Sequence, residues 1–225
     1  MNTQKIKNLI IKILLFLRIK KHLKKSYSQF GEDLVLASFV NESKKGFYVD
    51  IGAYDPERFS NTNYYYKKGW NGINIDARPG SMKKFNKMRK RDINIEKGIS
   101  NELNTLEYHM YKEPAYNTFS KENYKDLKEK NIIPIKIQKV QVDRLENILK
   151  NHLPSNIEID FMSIDVEGHT MEVLESNDWS KYRSKYILVE INNTTKDNKL
   201  NNFLTEKGYD IISIANITSI YKDTR

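Results

Sequence analysis

Two aspartates, Asp50 and Asp76, each close an apolar run, in "GFYVDIG" and "WNGINIDA". A third run, "IDFMSIDVEGHTME", arrives at Asp165 and continues through Glu167 to His169. Apolar runs of this length, bounded by glycine and polar residues, read as buried strands. In open α/β sheets ligands bind beyond the carboxyl ends of the strands, so these acids would gather at one crevice. A dinucleotide there needs a glycine-rich turn to cradle its pyrophosphate. Residues Gly52-Ala53-Tyr54-Asp55-Pro56-Glu57 instead hold one glycine and two acids, which would repel phosphate. A cation that carries a ribose and no phosphate fits better, and S-adenosylmethionine is such a molecule. Asp76 stands where a carboxylate accepts hydrogen bonds from a ribose diol. Asp50 would face the positive head group, and Gly52 would let the backbone approach the ligand closely.

Methyl transfer to a hydroxyl is an in-line displacement in which alignment alone supplies about 7–11 kcal/mol. The hydroxyl proton then needs a general base or a metal. Asp165, Glu167 and His169 are the candidate catalytic residues. A helix N-terminus disfavours imidazolium, so His169 at the start of the next helix would be neutral and able to accept a proton; the competing reading is an ordinary surface residue. Asp165 with Glu190 and Asn192, at the end of "YILVEIN", forms an overlapping set of hard oxygen ligands for Mg²⁺ or another divalent cation. Without a metal, Glu190 is a hydrogen-bonded strand-end acid. Arg78, Lys67, Lys68 and Lys112 offer cations toward an anionic acceptor, and Tyr64, Tyr65 and Tyr66 either stack on a sugar ring or pack into the core.

The elements that must position these residues follow from periodicity. Ser28 is a candidate N-cap for a helix carrying Leu34, Val35, Leu36, Phe39 and Val40. Strands "GFYVDI", "WNGINIDA" and "INIEKGI" alternate with helices "SNTNYYYKKG" and "GSMKKFNKMRKR". Residues 102–142 read as two strands around a loop and a short helix. Helices "DRLENILKNH", "HTMEVLESND" and "KDNKLNNFLTEKG" then alternate with strands "IDFMSIDVEG" and "KYILVEIN" before a closing strand pair. The alternation predicts an α/β fold, a mostly parallel sheet with helices on both faces.

With 225 residues, the chain suits one sizeable domain. The absence of cysteine excludes disulfide frameworks, thiolate metal sites and thiol nucleophiles, and fits a reducing, cytoplasmic setting. The net charge of +9 is spread along the chain, which suits a compositional bias as well as an anionic partner. Residues 1–25 read as a basic amphipathic helix, with Ile6, Leu9, Ile10, Ile13, Leu14 and Leu17 on one face. Its apolar core is shorter than the ~20 residues of a spanning helix, and no small-residue cleavage site follows. Two readings stand for it: docking on its own domain or a second subunit, as in a homodimer, or peripheral contact with an anionic inner membrane surface. Residues 26–225 form the remaining single domain.

In order along the chain, "YSQFGEDLVL", "YVDIGAYDPERFSNTNYYYKKGW", "GINIDARPGSM", "KGISNE", "VQVDRLENIL", "MSIDVEGHTMEVL" and "ILVEIN" resemble the FkbM-type S-adenosylmethionine-dependent methyltransferases over roughly residues 26–192. The resemblance implies a Rossmann-like class I methyltransferase fold with a seven-stranded sheet. It implies methylation of hydroxyl oxygens on sugars, polyketides and other small molecules. Carried over by position, Asp50 and Gly52 would surround the methionine part of the cofactor and Asp76 would hold the ribose. Ser60, Asn61 and Thr62 would contact the cofactor carboxylate or the substrate. Gln29 and Glu32 would cover the pocket, and Arg78, Ser100 and Asp165 would complete it. The expected acceptor is a sugar or glycan precursor such as a nucleotide-linked sugar. A lipid or polyketide hydroxyl at the membrane, or a non-catalytic RNA-binding module on the same fold, are the competing readings. No base-methylating "DPPY"-type tetrapeptide or interleaved basic–aromatic motif supports a nucleic-acid partner.

Overall fold

The computed structural model describes residues 12, 14, 24–41, 43–191 and 194–225, with the side chains of 194–197 left aside. Nearly all of the helix read over 1–25, and Asn192, therefore lie outside the described residues. Strands β1 (Phe47–Ile51), β2 (Asn71–Asp76), β3 (Ile93–Glu96), β7 (Ile159–Ile164), β8 (Ser184–Glu190), β9 (Tyr209–Ala215) and β10 (Thr218–Asp223) form one sheet in the order β3-β2-β1-β7-β8-β10-β9. The pairs from β3 through to β8 are parallel, and β10 runs antiparallel to both β8 and β9. The β9–β10 hairpin is the closing strand pair expected from the sequence.

Burial on both faces explains the near-continuous apolar runs of β1 and β7. One face packs Val49, Ile51, Ile73 and Ile164 against α5 (Leu145–His152), α6 (Thr170–Glu175) and α7 (Thr194–Glu206), through Leu145, Leu149, Leu174 and Leu204. The other packs Tyr48, Phe161, Leu188 and Ile220 against α1 (Glu32–Leu36) and α2 (Asn63–Lys67). Tyr64 and Tyr65 belong to this second core, so the tyrosine run packs inward and is no sugar platform. Helix α1 is shorter than its apolar pattern predicts. It starts after Gly31 in left-handed conformation, while Ser28 Oγ accepts the Asp33 N–H at 3.3 Å.

Between β3 and β7, after α3 (Met82–Met88) has led into β3, the chain builds a second layer. β4 (Gly98–Ile99), β5 (Asn104–Met110) and β6 (Lys136–Asp143) make a separate three-stranded sheet in the order β4-β6-β5. A 3₁₀ turn at Pro114–Tyr116 and α4 (Lys121–Glu129) complete this insert. The strand order of the main sheet reverses between β1 and β7, where Ile51 pairs with Ile164. The crevice that this reversal opens lies beside the insert.

Candidate active site

The crevice is lined by Ile51, Gly52, Tyr54, Asp76, Arg78 and Asp165, with Lys97–Ile99 and the insert residues Tyr108, Asn117 and Phe119 closing it. Asp76 ends β2 and is buried. Its Oδ2 accepts the Tyr54 N–H at 2.9 Å and its Oδ1 the Arg78 N–H at 2.8 Å. Burial raises its pKa, while Arg78 and the two N–H bonds draw it back down. Each oxygen retains a second lone pair, so the carboxylate is held rigid and remains able to receive a diol. Gly52 adopts φ 81°, and a Cβ there would collide with the Asp165 carbonyl oxygen. The glycine is thus required first by the close approach of the β7 end to the β1 end.

Asp50 lies elsewhere than its place in the sequence suggests. It is buried and accepts the Thr62 hydroxyl at 2.8 Å without lining the crevice. Burial pushes its pKa up to about 7, and Thr62 and Arg89 oppose that rise. Arg89 is fully buried and organises this layer. It donates to the Pro56 carbonyl at 2.8 Å and to the Ser60 hydroxyl at 3.0 Å, and lies 3.5 Å from Asp92. Ser60 and Thr62 therefore serve to fix the 55–62 loop from below. Asn61 donates to Ser163 Oγ at 3.0 Å and lines a small adjoining cavity with Gln29, Glu32, Asp165 and Glu190.

The acids of the third run do converge. One oxygen each of Asp165, Glu167 and Glu190 lies within 4.8 Å of the others. Burial drives the Asp165 pKa well up, and the neighbouring Glu190, which hydrogen-bonds it, and Glu32 add to that shift. Glu167 is pushed up to about 8 by burial and by Asp165. Crowded, buried acids resist full ionisation unless positive charge stands beside them, so the cluster suits a cationic ligand. Glu167 takes φ 48°, and its carbonyl accepts Thr118 Oγ1 and Asn123 Nδ2, both at 2.7 Å. The insert thereby pins the turn that presents this carboxylate. Glu32 accepts the Phe30 N–H at 2.8 Å, which anchors the "SQFGED" segment beside the cluster.

His169 caps α6, with Nε2 3.1 Å from Ser100 Oγ and Nδ1 3.6 Å from Glu172. Burial lowers its pKa, against the pull of Glu172 and Glu102, so the ring is neutral near pH 7. The Ser100–His169 bond joins the insert sheet to α6, and neither residue lines the crevice. Of the four cations singled out, Arg78 alone lines that cleft, its guanidinium on the Tyr54 carbonyl at 3.1 Å. Lys67 faces Glu57 at 3.9 Å and Lys68 lies over the Tyr64 ring.

Sequence reasoning missed Arg89, lost among the basic residues of "KKFNKMRKR", where nothing local marks one as buried. It also missed Tyr54, whose hydroxyl donates to Glu113 at 2.8 Å and ties the loop after β1 to the insert. Its position two residues after Gly52 was the available signal.

A mostly parallel sheet with one antiparallel strand next to its edge, and an acid at the end of β2 beside the β1/β7 switch point, is the class I S-adenosylmethionine-dependent methyltransferase fold. The methyltransferase FkbM domain matches residues 50–211, and the chain belongs to that family. The FkbM methyltransferase of Methylobacillus flagellatus KT superposes with TM-score 0.52 at 13% identity, over 87% of this chain and 48% of that one. A precorrin-6y C5,15-methyltransferase from Geobacter metallireducens is similar at 11% identity and TM-score 0.46, over 85% and 86% of the chains. The fibrillarin of Aeropyrum pernix, solved with S-adenosyl-L-methionine, gives 12% and 0.48, over 87% and 74%. No curated protein sequence matches. Among the described residues, no helix is long and apolar enough to cross a membrane.

Proposed function

We propose that the chain transfers the methyl group of S-adenosylmethionine to a hydroxyl of a sugar or glycan precursor. The observation that supports a hydroxyl acceptor is Glu167: a carboxylate with its pKa pushed up to about 8, on a pinned turn at the edge of the cofactor cleft. A base whose pKa sits near working pH combines a useful ionised fraction with driving force for taking the alcohol proton. Asp76 would hold the ribose diol, and Asp165 with Glu190 would balance the sulfonium charge. Once bound, the cofactor supplies an electrophilic methyl group. The protein's part is to orient the acceptor, exclude water and receive one proton at a Glu167 oxygen.

A divalent cation held by Asp165, Glu167 and Glu190 is the finer variant, since it would lower the hydroxyl pKa directly. Turnover after exhaustive chelation decides between the two. The reading itself is tested by incubating protein and S-adenosylmethionine with a panel of sugars and locating the added methyl by mass and NMR. Transfer to a sugar oxygen is expected; transfer to carbon or nitrogen alone would overturn it.

A further inference from the structure

The cofactor cleft does not end at Glu167. It opens into a groove of about 1150 Å³ between the insert and the main sheet, with Gln29, Phe59, Ala115, Phe119 and Glu167 lining both spaces. Pockets for drug-sized ligands enclose roughly 300–1,000 Å³, so the groove exceeds the needs of one sugar ring. Its walls are α4, the start of α6, the end of β8 and the 3₁₀ turn.

Two features of the lining bear on what occupies it. Seven carboxylate side chains line the groove against four Lys and Arg, although the whole chain carries +9. Of those cations Arg58 is engaged with Glu113 at 3.3 Å, and Lys199 faces Glu175 at 3.9 Å. With Glu167 holding its proton until about pH 8 and Glu113 paired to Arg58, five carboxylates still face three lysines, so a phosphate would enter against the field of the wall. The second feature is Phe59, a non-glycine residue at φ 54° that is 40% exposed. Tyr54 stacks on it with centroids 6.2 Å apart and the Arg58 guanidinium sits 4.5 Å from its centre. The left-handed backbone of Phe59 is strain of the kind that concentrates at functional sites, and the residue stays partly exposed at the junction of cleft and groove beside Tyr54 and Arg58. The flat apolar face of a pyranose packs on such a ring.

Resting on the O-methylation reading above, we infer that this groove is the acceptor site and takes an uncharged or amino-bearing oligosaccharide of more than one ring, to the exclusion of nucleoside-diphosphate sugars. The acceptor would lie along the groove with one ring on Phe59 and its reacting hydroxyl at Glu167. The same wall would disfavour the nucleotide-linked sugar named from the sequence.

The test loads the protein with S-adenosylhomocysteine and measures binding of the N-acetylglucosamine trimer and of UDP-N-acetylglucosamine by saturation-transfer NMR. The trimer should bind, and Phe59→Ala should weaken it about tenfold, the loss of one aromatic stacking contact, measured in both proteins with S-adenosylhomocysteine at saturation. A Glu122→Lys/Asp126→Lys double variant on α4 should bind UDP-N-acetylglucosamine better than the unaltered protein does. Absence of trimer binding, tighter binding of the UDP-sugar, or indifference to Phe59→Ala would each overturn the inference. These outcomes are separate from the atom methylated. A methyl found on nitrogen or carbon of a bound oligosaccharide would leave the groove in place and remove the hydroxyl reading alone.

Discussion

In the proposed reaction Asp76 and Glu167 would divide the work at the crevice, one for binding and one for the proton, and their environments differ accordingly. Asp76 keeps backbone N–H donors on both oxygens, which draw its pKa back down against the rise that burial causes. Replacing it with alanine removes charge-assisted hydrogen bonds to the ribose worth about 1.5–3 kcal/mol. Isothermal titration of Asp76→Ala with S-adenosylhomocysteine should therefore show roughly 10- to 150-fold weaker binding. Among the described residues no hydrogen-bond donor reaches the Glu167 carboxylate; its carbonyl takes two instead. Burial and Asp165 hold its proton until about pH 8. As base it works only when ionised, so kcat/KM should rise with pH toward that value. In Glu167→Gln the same profile should lose this limb together with most of the turnover, while cofactor binding persists. An unchanged limb in the variant assigns the proton to another group.

The elements supply placement that the residues alone do not. Gly52→Ala introduces a Cβ into the Asp165 carbonyl at a φ of 81°. The left-handed conformation costs about 1–2 kcal/mol and overpacking against backbone about 1–3 kcal/mol, and the collision also separates the ends of β1 and β7. Urea denaturation of this variant should show a loss of about 3 kcal/mol or more, with cofactor affinity falling as well. Much of this scaffold is legible in the sequence, because strands buried on both faces must be apolar throughout and the helices between them must be amphipathic. That same uniformity hides the direction of Asp50: five consecutive buried residues give no alternation from which to read its face. The insert was legible as strands but not as a sheet. β4 is only two residues long, and β6, "KIQKVQVD", mixes charged and apolar positions on a largely exposed ribbon. The convergence of Glu167 depends on contacts with Thr118 and Asn123, some 45 residues earlier in the chain, which no local pattern encodes.

At the scale of the molecule, a chain of net charge +9 encloses a crevice of buried acids, and that contrast has a thermodynamic consequence. Asp50, Asp165 and Glu167 all have folded-state pKa values above the ordinary carboxylate range, at about 7 for Asp50 and about 8 for Glu167. The folded protein thus retains protons that the unfolded chain has already released. The stability from those protons is fully present below the ordinary carboxylate range and is lost as pH rises to about 8. The ligand-free protein should therefore melt at progressively lower temperature from pH 5 to pH 8. S-adenosylmethionine reverses the sense of this dependence. Its sulfonium favours the ionised acids, so its binding releases protons and strengthens as pH rises. S-adenosylhomocysteine shares the ribose and amino acid but carries a neutral sulfur, and its binding should respond far less. At a concentration of 100 Kd either ligand stabilises by about 2.7 kcal/mol, which for a chain of this size is roughly 5–11 °C in Tm. With both ligands at one fixed concentration, the difference between their two shifts should grow steadily from pH 6 to pH 8.5 and flatten in Glu167→Gln. Parallel shifts at every pH would mean that the sulfonium does not sit beside Asp165 and Glu167, and the placement of the reacting methyl in this crevice would have to be abandoned.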